Sequence, residues 1–171
     1  MITHEVALVE PSLDLKSELL SMAQEYQSAG DSRYQAVIEN VTAFIRSLRL
    51  YSKGIELPSG FVPTTTFFLL SNNRIVGRSS LRHRLTAELA NEGGHIGYDI
   101  RPSERMKGYG NLILKLMLNK ARSVGLDSVL VTCNVDNVAS ARIIQKNGGK
   151  LHGQSISNRT SKVVSQYWIE L

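Results

Sequence analysis

The chain predicts an α/β fold, a mixed sheet covered by helices. Three features carry this reading. Residues 65–70 and 74–81 form two strands joined by Ser71-Asn72-Asn73, a hairpin connection in which asparagine tolerates left-handed backbone. Residues 95–147 alternate strand, helix, strand, helix. Residues 149–154 and 163–169 then read as a closing antiparallel pair. The chain has 171 residues, enough for one domain with a proper core and too few for two, so residues 1–171 are expected to form a single domain.

Residues 5–9 read as a strand ended by Pro11, which cannot continue a ladder. Ser12 or Asp14 can cap a helix running to about Ser28, with Leu15, Leu19, Leu20 and Ala23 on one face. Gly30 stops it. Residues 34–50 carry a helical stripe of Val37, Ile38, Val41, Phe44, Ile45 and Leu48. Residues 54–63 are a turn-rich loop, and 82–91 are polar and read as an irregular connection. Gly93-Gly94 opens a strand over 95–100. The helix over 109–124 places Leu112, Ile113, Leu116, Met117 and Ala121 toward the sheet, and Gly125 ends it. Residues 128–133 are nearly all apolar, as in a central buried strand whose end is expected at Asn137. A last helix over 138–147 presents Ala141 and Ile144 on one face.

The composition excludes several classes. The apolar share is 42%, that of an ordinary soluble protein. No run approaches the ~18 apolar residues of a membrane span. The first residues carry acidic side chains and no basic, apolar leader, so no secretory signal is expected. A lone Cys133 precludes an internal disulfide and fits a reducing cytoplasm. No zinc-ligand spacing, repeat or heptad is present. The net charge is +5, but the basic residues are scattered. Their one concentration is Arg82, Arg84, Arg101, Arg105 and Lys107, which borders a glycine turn and suits an anionic ligand at least as well as nucleic acid.

That turn is Arg105-Met106-Lys107-Gly108-Tyr109-Gly110, followed by Asn111 in the first turn of a helix. A strand that passes through such a turn into a helix leaves N–H groups without intrahelical partners. Those donors and the positive end of the helix dipole suit a phosphate or pyrophosphate. A dinucleotide fingerprint is missing its first glycine, whose place Arg105 takes. A P-loop would need Gly-Lys followed by Ser or Thr, whereas Lys107 precedes Gly108.

Ile100, Pro102, Arg105, Gly108 and Gly110 form a V/I-x-P-x-x-R-x-x-G-x-G pattern, followed by a strand, an asparagine at 137 and a helix closed by Gly148-Gly149. Over residues 93–149 this resembles the GNAT superfamily of acetyl-CoA-dependent N-acyltransferases, in particular a bacterial branch whose substrates are mostly unassigned. The resemblance implies a GNAT-like, mostly antiparallel central sheet with helices on both faces. It also implies acetyl-CoA as acyl donor, no metal, and a small-molecule or peptide amine as acceptor. Specific nucleic-acid and membrane partners are not expected, and a homodimer is compatible. Met106, Lys107, Tyr109 and Asn111 would contribute to the pyrophosphate cradle with Arg105, Gly108 and Gly110. Ile100 would exchange main-chain hydrogen bonds with the pantetheine arm, which Asn137 and the Ser140 region would also contact. Arg142 and Lys146, on the same helix, read equally well as a solvated face.

Catalysis by this resemblance is direct attack of the amine on the thioester. The Tyr98 backbone N–H would stabilise the oxyanion. A base must take the amine proton. His95 titrates near neutrality, but strand parity puts it with Gly97 and Asp99, opposite Ile96, Tyr98 and Ile100. Glu92 and Glu88 are its rivals. The tyrosine that many relatives use as general acid is replaced by Ile144, so either another group, such as Tyr167 or solvent, protonates the thiolate or CoA leaves unprotonated. A CoA-binding module of the same fold with weak or no catalysis is the alternative. Cys133 reads as a buried structural cysteine rather than an acyl carrier.

Overall fold

A computed structural model describes residues 5–171; the reading of the first four residues as part of a leaderless N-terminus lies outside it. Strand β1 (Val6–Val9) pairs antiparallel with β2 (Thr64–Ser71), which pairs with β3 (Arg74–Arg82), and β3 with β4 (Ile96–Ile100). A second antiparallel sheet has β5 (Ser128–Asn134), β7 (Val163–Glu170) and β6 (Lys150–Ile156) in that order. The expected class therefore holds, with helices on both faces of a mostly antiparallel sheet, but the sheet is divided into two blocks.

The two faces follow from strand alternation. Phe67 and Leu69 of β2 pack with helix α4 (Tyr109–Ser123), whose Ile113, Leu114 and Met117 are fully buried. Phe68 and Leu70, one residue on, pack with α1 (Lys16–Ser28) and α2 (Gln35–Ser52) through Leu19, Met22 and Ile45. Leu69 pairs with Gly77 and Leu70 with Ile75, leaving Val76 unopposed, a bulge that reverses the facing of the rest of β3.

Several boundaries depart from the sequence reading for identifiable reasons. Asn40 leaves the helical region (φ −158°, ψ 89°), and its Oδ1 accepts from the Ala43 N–H at 2.9 Å, so α2 is kinked and recapped. Within the supposedly irregular connection lies a short helix, α3 (Ala87–Asn91), capped by Thr86 Oγ1 on the Leu89 N–H at 3.2 Å. The buried face of α4 is Ile113, Leu114, Met117, Leu118 and Ala121. Residues 112–114 and 116–118 are all apolar, so spacing alone could not choose which pair would face inward. Strand β5 ends at Asn134, three residues before Asn137, whose N–H closes a turn onto the Asn134 carbonyl at 2.9 Å.

Candidate functional site

The sheets meet at one corner. The His95 N–H donates to the Leu130 carbonyl at 2.7 Å, and the Leu130 N–H donates to His95 Nδ1 at 2.9 Å. Gly94 allows this approach: it has φ +62°, and a Cβ there would lie 2.3 Å from the Leu130 oxygen. Beyond this corner no ladder joins β4 to β5, so β4 is an edge strand. The phase of its ladder can be read directly. Arg82 N–H donates to the His95 carbonyl and Arg101 N–H to the Val76 carbonyl, with Ser79 opposite Tyr98 between them. In an antiparallel ladder, hydrogen-bonded and non-bonded pairs alternate. The main-chain groups of Ile96 and Tyr98 and the Ile100 N–H therefore point away from β3, while the Ile100 carbonyl is taken up by the Tyr26 hydroxyl at 2.8 Å and by Arg105 Nε. A ligand chain laid in the gap between that edge and β5 would meet the Tyr98 N–H.

The end of β4 feeds the glycine turn. Met106 (φ 62°) and Gly108 (φ 87°) are left-handed, and Met106 is 99% exposed. A Cβ at Gly108 would meet nothing within 4 Å, so the space over this residue is open. The Leu112 N–H reaches the Gly108 carbonyl at 3.2 Å. The N–H groups of Tyr109, Gly110 and Asn111 precede it in the first turn and have no intrahelical acceptor. Gly110 has a different reason to be glycine: its Cβ would lie 2.7 Å from Ile143 Cδ1, so it lets α4 pack against α5 (Val138–Lys146).

Most of the basic concentration is engaged by other groups of the protein. Arg101 is 2% exposed and donates to Glu25 (2.7 Å), Glu18 (3.3 Å) and Ser21 (2.8 Å). Arg82 Nη1 holds the Gly93 and Gly94 carbonyls, Arg105 Nε the Ile100 carbonyl at 3.2 Å, and Lys107 pairs with Glu104 at 3.0 Å. The Asn111 side chain accepts from Asn147 Nδ2 at 3.0 Å and ties the start of α4 to the end of α5. What the turn offers an anion is thus its backbone rather than its side-chain cations.

The gap continues into a cavity of about 890 Å³ that Gly97, Tyr98, Cys133, Asn137 and Ser140 help to line. Asn137 Oδ1 accepts from the Ser140 N–H at 3.1 Å, capping α5 and leaving its amide donors unused by that cap. The Tyr98 hydroxyl lies 3.0 Å from Ser140 Oγ. Burial raises the phenol above its ordinary pKa, against the hydrogen bond to Ser140, so it stays protonated at neutral pH. Burial likewise raises the Cys133 thiol, keeping it a thiol rather than a thiolate nucleophile.

The proposed bases separate clearly. His95 is 7% exposed, sits outside the cavity lining, spends Nδ1 on the Leu130 N–H and has its ring edge against Trp168. Burial first, and Arg82 second, lower its pKa. His95 thus joins the two sheets through Leu130 and lies apart from the cavity lining. Glu92 does line the cavity, where it accepts from Ser157 Oγ and from Arg159 at 3.1 Å. Glu88 lies in the same wall and is exposed. Tyr167 is 5% exposed in the core beside the fully buried Ile144, away from the cavity lining, which corrects its candidacy as general acid. Three residues escaped the sequence reading: Tyr26 and Tyr34, both donating to Asp99 at 2.8 Å, and Arg78, which lines the cavity with its guanidinium over the Tyr34 and Phe44 rings. The alternation Arg78-x-Ser80-x-Arg82 was the available signal.

A family model described as an acetyltransferase (GNAT) domain matches residues 21–150. Among solved structures, the chain is similar to the microcin C7 self-immunity acetyltransferase MccE, solved with acetyl-CoA and AMP (18% identity, TM-score 0.73, 98% of this chain and 93% of that one). It is similar to the acetyltransferase of Salmonella typhimurium that modifies the N-terminal serine of ribosomal protein L7/L12 (17% identity, TM-score 0.71, 99% and 96%). It is also similar to Mycobacterium smegmatis RimJ, solved with CoA-disulfide (14% identity, TM-score 0.75, 96% and 81%). No curated protein sequence matches the chain.

Proposed function

Because the chain belongs to the GNAT acetyltransferase family, we propose that it transfers an acetyl group from acetyl-CoA to an amine acceptor by direct attack on the thioester. The observation that carries this is the outward edge of β4 running into the open glycine turn, which matches the shape of the donor: an amide-bearing arm ending in a pyrophosphate. Structures similar to this one were solved with acetyl-CoA or CoA, which supports the same reading. The donor supplies an activated acyl group with thiolate as leaving group. Among the described residues no helix is long and apolar enough to cross a membrane, and no group of three acidic, histidine or cysteine side chains is placed to hold a metal.

In this reading the N–H groups at the start of α4 hold the pyrophosphate and those of the β4 edge hold the arm. The Tyr98 N–H faces the developing oxyanion, the electrostatic contribution that usually weighs most in acyl transfer. Asn137 anchors the arm from α5. Glu92, in the cavity wall, takes the amine proton directly or through water. The Tyr98 hydroxyl, paired with Ser140, stands in for the tyrosine that Ile144 replaces and protonates the leaving thiolate.

Thiol release, with mass spectrometry of the amine product, tests the reading. Tyr98→Phe keeps the backbone donor and removes only the phenol. It should lower kcat by roughly 10²-fold, the lower end for a general acid, with acetyl-CoA affinity unchanged. An unaltered kcat would return the thiolate to solvent. Glu92→Gln should lower kcat and remove the acid-side limb of the pH–rate profile. His95→Gln should act on stability instead, because it loosens the sheet corner. The replacement of the usual tyrosine by Ile144 favours one other reading, a CoA-binding module of this fold. CoA binding without thiol release from any amine would establish that reading.

A further inference from the structure

Among the described residues, Arg78 carries a buried side-chain polar atom that the protein leaves without a hydrogen bond. Its guanidinium lies over the Tyr34 ring at 5.7 Å and the Phe44 ring at 5.6 Å. Its Nε is buried with no hydrogen-bond partner, and no salt bridge among the described residues engages it. A buried donor left unpaired is costly, and an unpaired cation more so. The carboxylate opposite it across the ladder, Asp99, is turned to the Tyr26 and Tyr34 hydroxyls instead.

The placement is built rather than accidental. The bulge at Val76 reverses the facing of β3, so Arg78, Ser80 and Arg82 line the cavity while Leu81 packs in the α4 core. Arg78 and Arg82 reach the same cavity wall as Gly97 and Tyr98, beside the edge assigned to the thioester. The like charges disfavour each other: after burial, Arg78 is what lowers the Arg82 pKa. Of the acidic groups in the cavity wall, Glu92 is already paired with Arg159 and Glu88 is exposed. An oxyanion between the strand and the rings would satisfy Nε and the fork of Arg78 and relieve Arg82.

We propose that Arg78 binds an oxyanion carried by the acceptor, so that the enzyme prefers amines bearing a carboxylate or phosphate a few bonds from the nitrogen. This rests on the acetyl-transfer reading of the same cleft. The guanidinium fork suits both oxyanions in bidentate fashion, and the Tyr34 and Phe44 rings hold it over their faces.

The test is calorimetry on CoA-loaded protein with two matched pairs: phosphoethanolamine against ethanolamine, and phenylalanine against phenylalaninamide. In at least one pair the anionic member should bind tenfold or more tightly, and the pair that responds distinguishes phosphate from carboxylate. R78M, which preserves packing on the rings, should abolish that preference while CoA affinity is unchanged. R78K, which keeps the charge and loses the fork, serves if R78M does not fold and should leave a reduced preference. Equal affinities within both pairs would overturn the proposal, as would a preference that survives R78M or is undiminished in R78K. The preference is read without turnover, so absence of acetyl transfer would count against the catalytic reading and not against this anion site.

Discussion

Gly108→Glu should weaken CoA binding by roughly 10²-fold, the loss of two charge-assisted hydrogen bonds at ~1.5 kcal/mol each. The expectation rests on geometry. A Cβ at Gly108 meets nothing within 4 Å, so the side chain has room but projects into the space where the first-turn donors point. The left-handed φ of 87° adds a strain of ~1–2 kcal/mol for a residue with a side chain, which leaves the protein folded in a domain of ordinary stability. Calorimetry on the purified variant, with circular dichroism to verify folding, reads the effect. Gly110→Glu is a poorer probe, because the Cβ alone would run into Ile143 and the variant would confuse unpacking of α4 with loss of an anion site.

The second large effect is on stability. Arg101→Met should destabilise the fold by about 3 kcal/mol, near the low end for breaking a buried pair, because Glu18 and Glu25 retain part of their exposure. For a chain of this size that corresponds to a melting point lower by about 6–12 °C. The same cluster sets the acid limb of stability. Burial pushes the Glu25 carboxyl up, but hydrogen bonds from Arg101 and the Ser103 N–H and the Arg101 charge outweigh it and hold the pKa below its ordinary 4.5. Glu104 is likewise held low, Lys107 and Arg74 overcoming its burial. A carboxylate with a depressed folded pKa stabilises above its unfolded value and loses that contribution as pH falls through the folded one. Stability should therefore decline below about pH 4.5, and Arg101→Met should flatten that decline. Equal melting points for the two proteins at pH 7 would show that the cluster contributes nothing.

These two residues show what could be read in the sequence. The glycine turn and the helix after it were legible because each is local: glycine and periodicity act within a few residues. Arg101 was misread for the opposite reason. Next to Arg105 and Lys107 it looks like part of a cationic surface, and only the distant Glu18 and Glu25 turn it inward. His95 was half legible. Parity put it on the wrong face for a base, and the structure supplies its actual partner, the Leu130 N–H, across a sheet corner no periodicity encodes. Arg78 depended on the bulge at Val76, and one unopposed residue was enough to move Arg78, Ser80 and Arg82 from the core side to the cavity side. The buried face of α4 was indeterminate from a helix apolar on most sides.

In the proposed reading the unpaired edge of β4 and the turn through Gly108 form one continuous donor site. A crystal structure of the protein with CoA measures this directly. The expected result is main-chain hydrogen bonds from the Tyr98–Ile100 edge to the pantetheine arm, the pyrophosphate over the N–H groups of residues 108–111, and the thiol beside Tyr98 and Ser140. CoA bound elsewhere, or seated with its pyrophosphate away from the Gly108 turn, would contradict it.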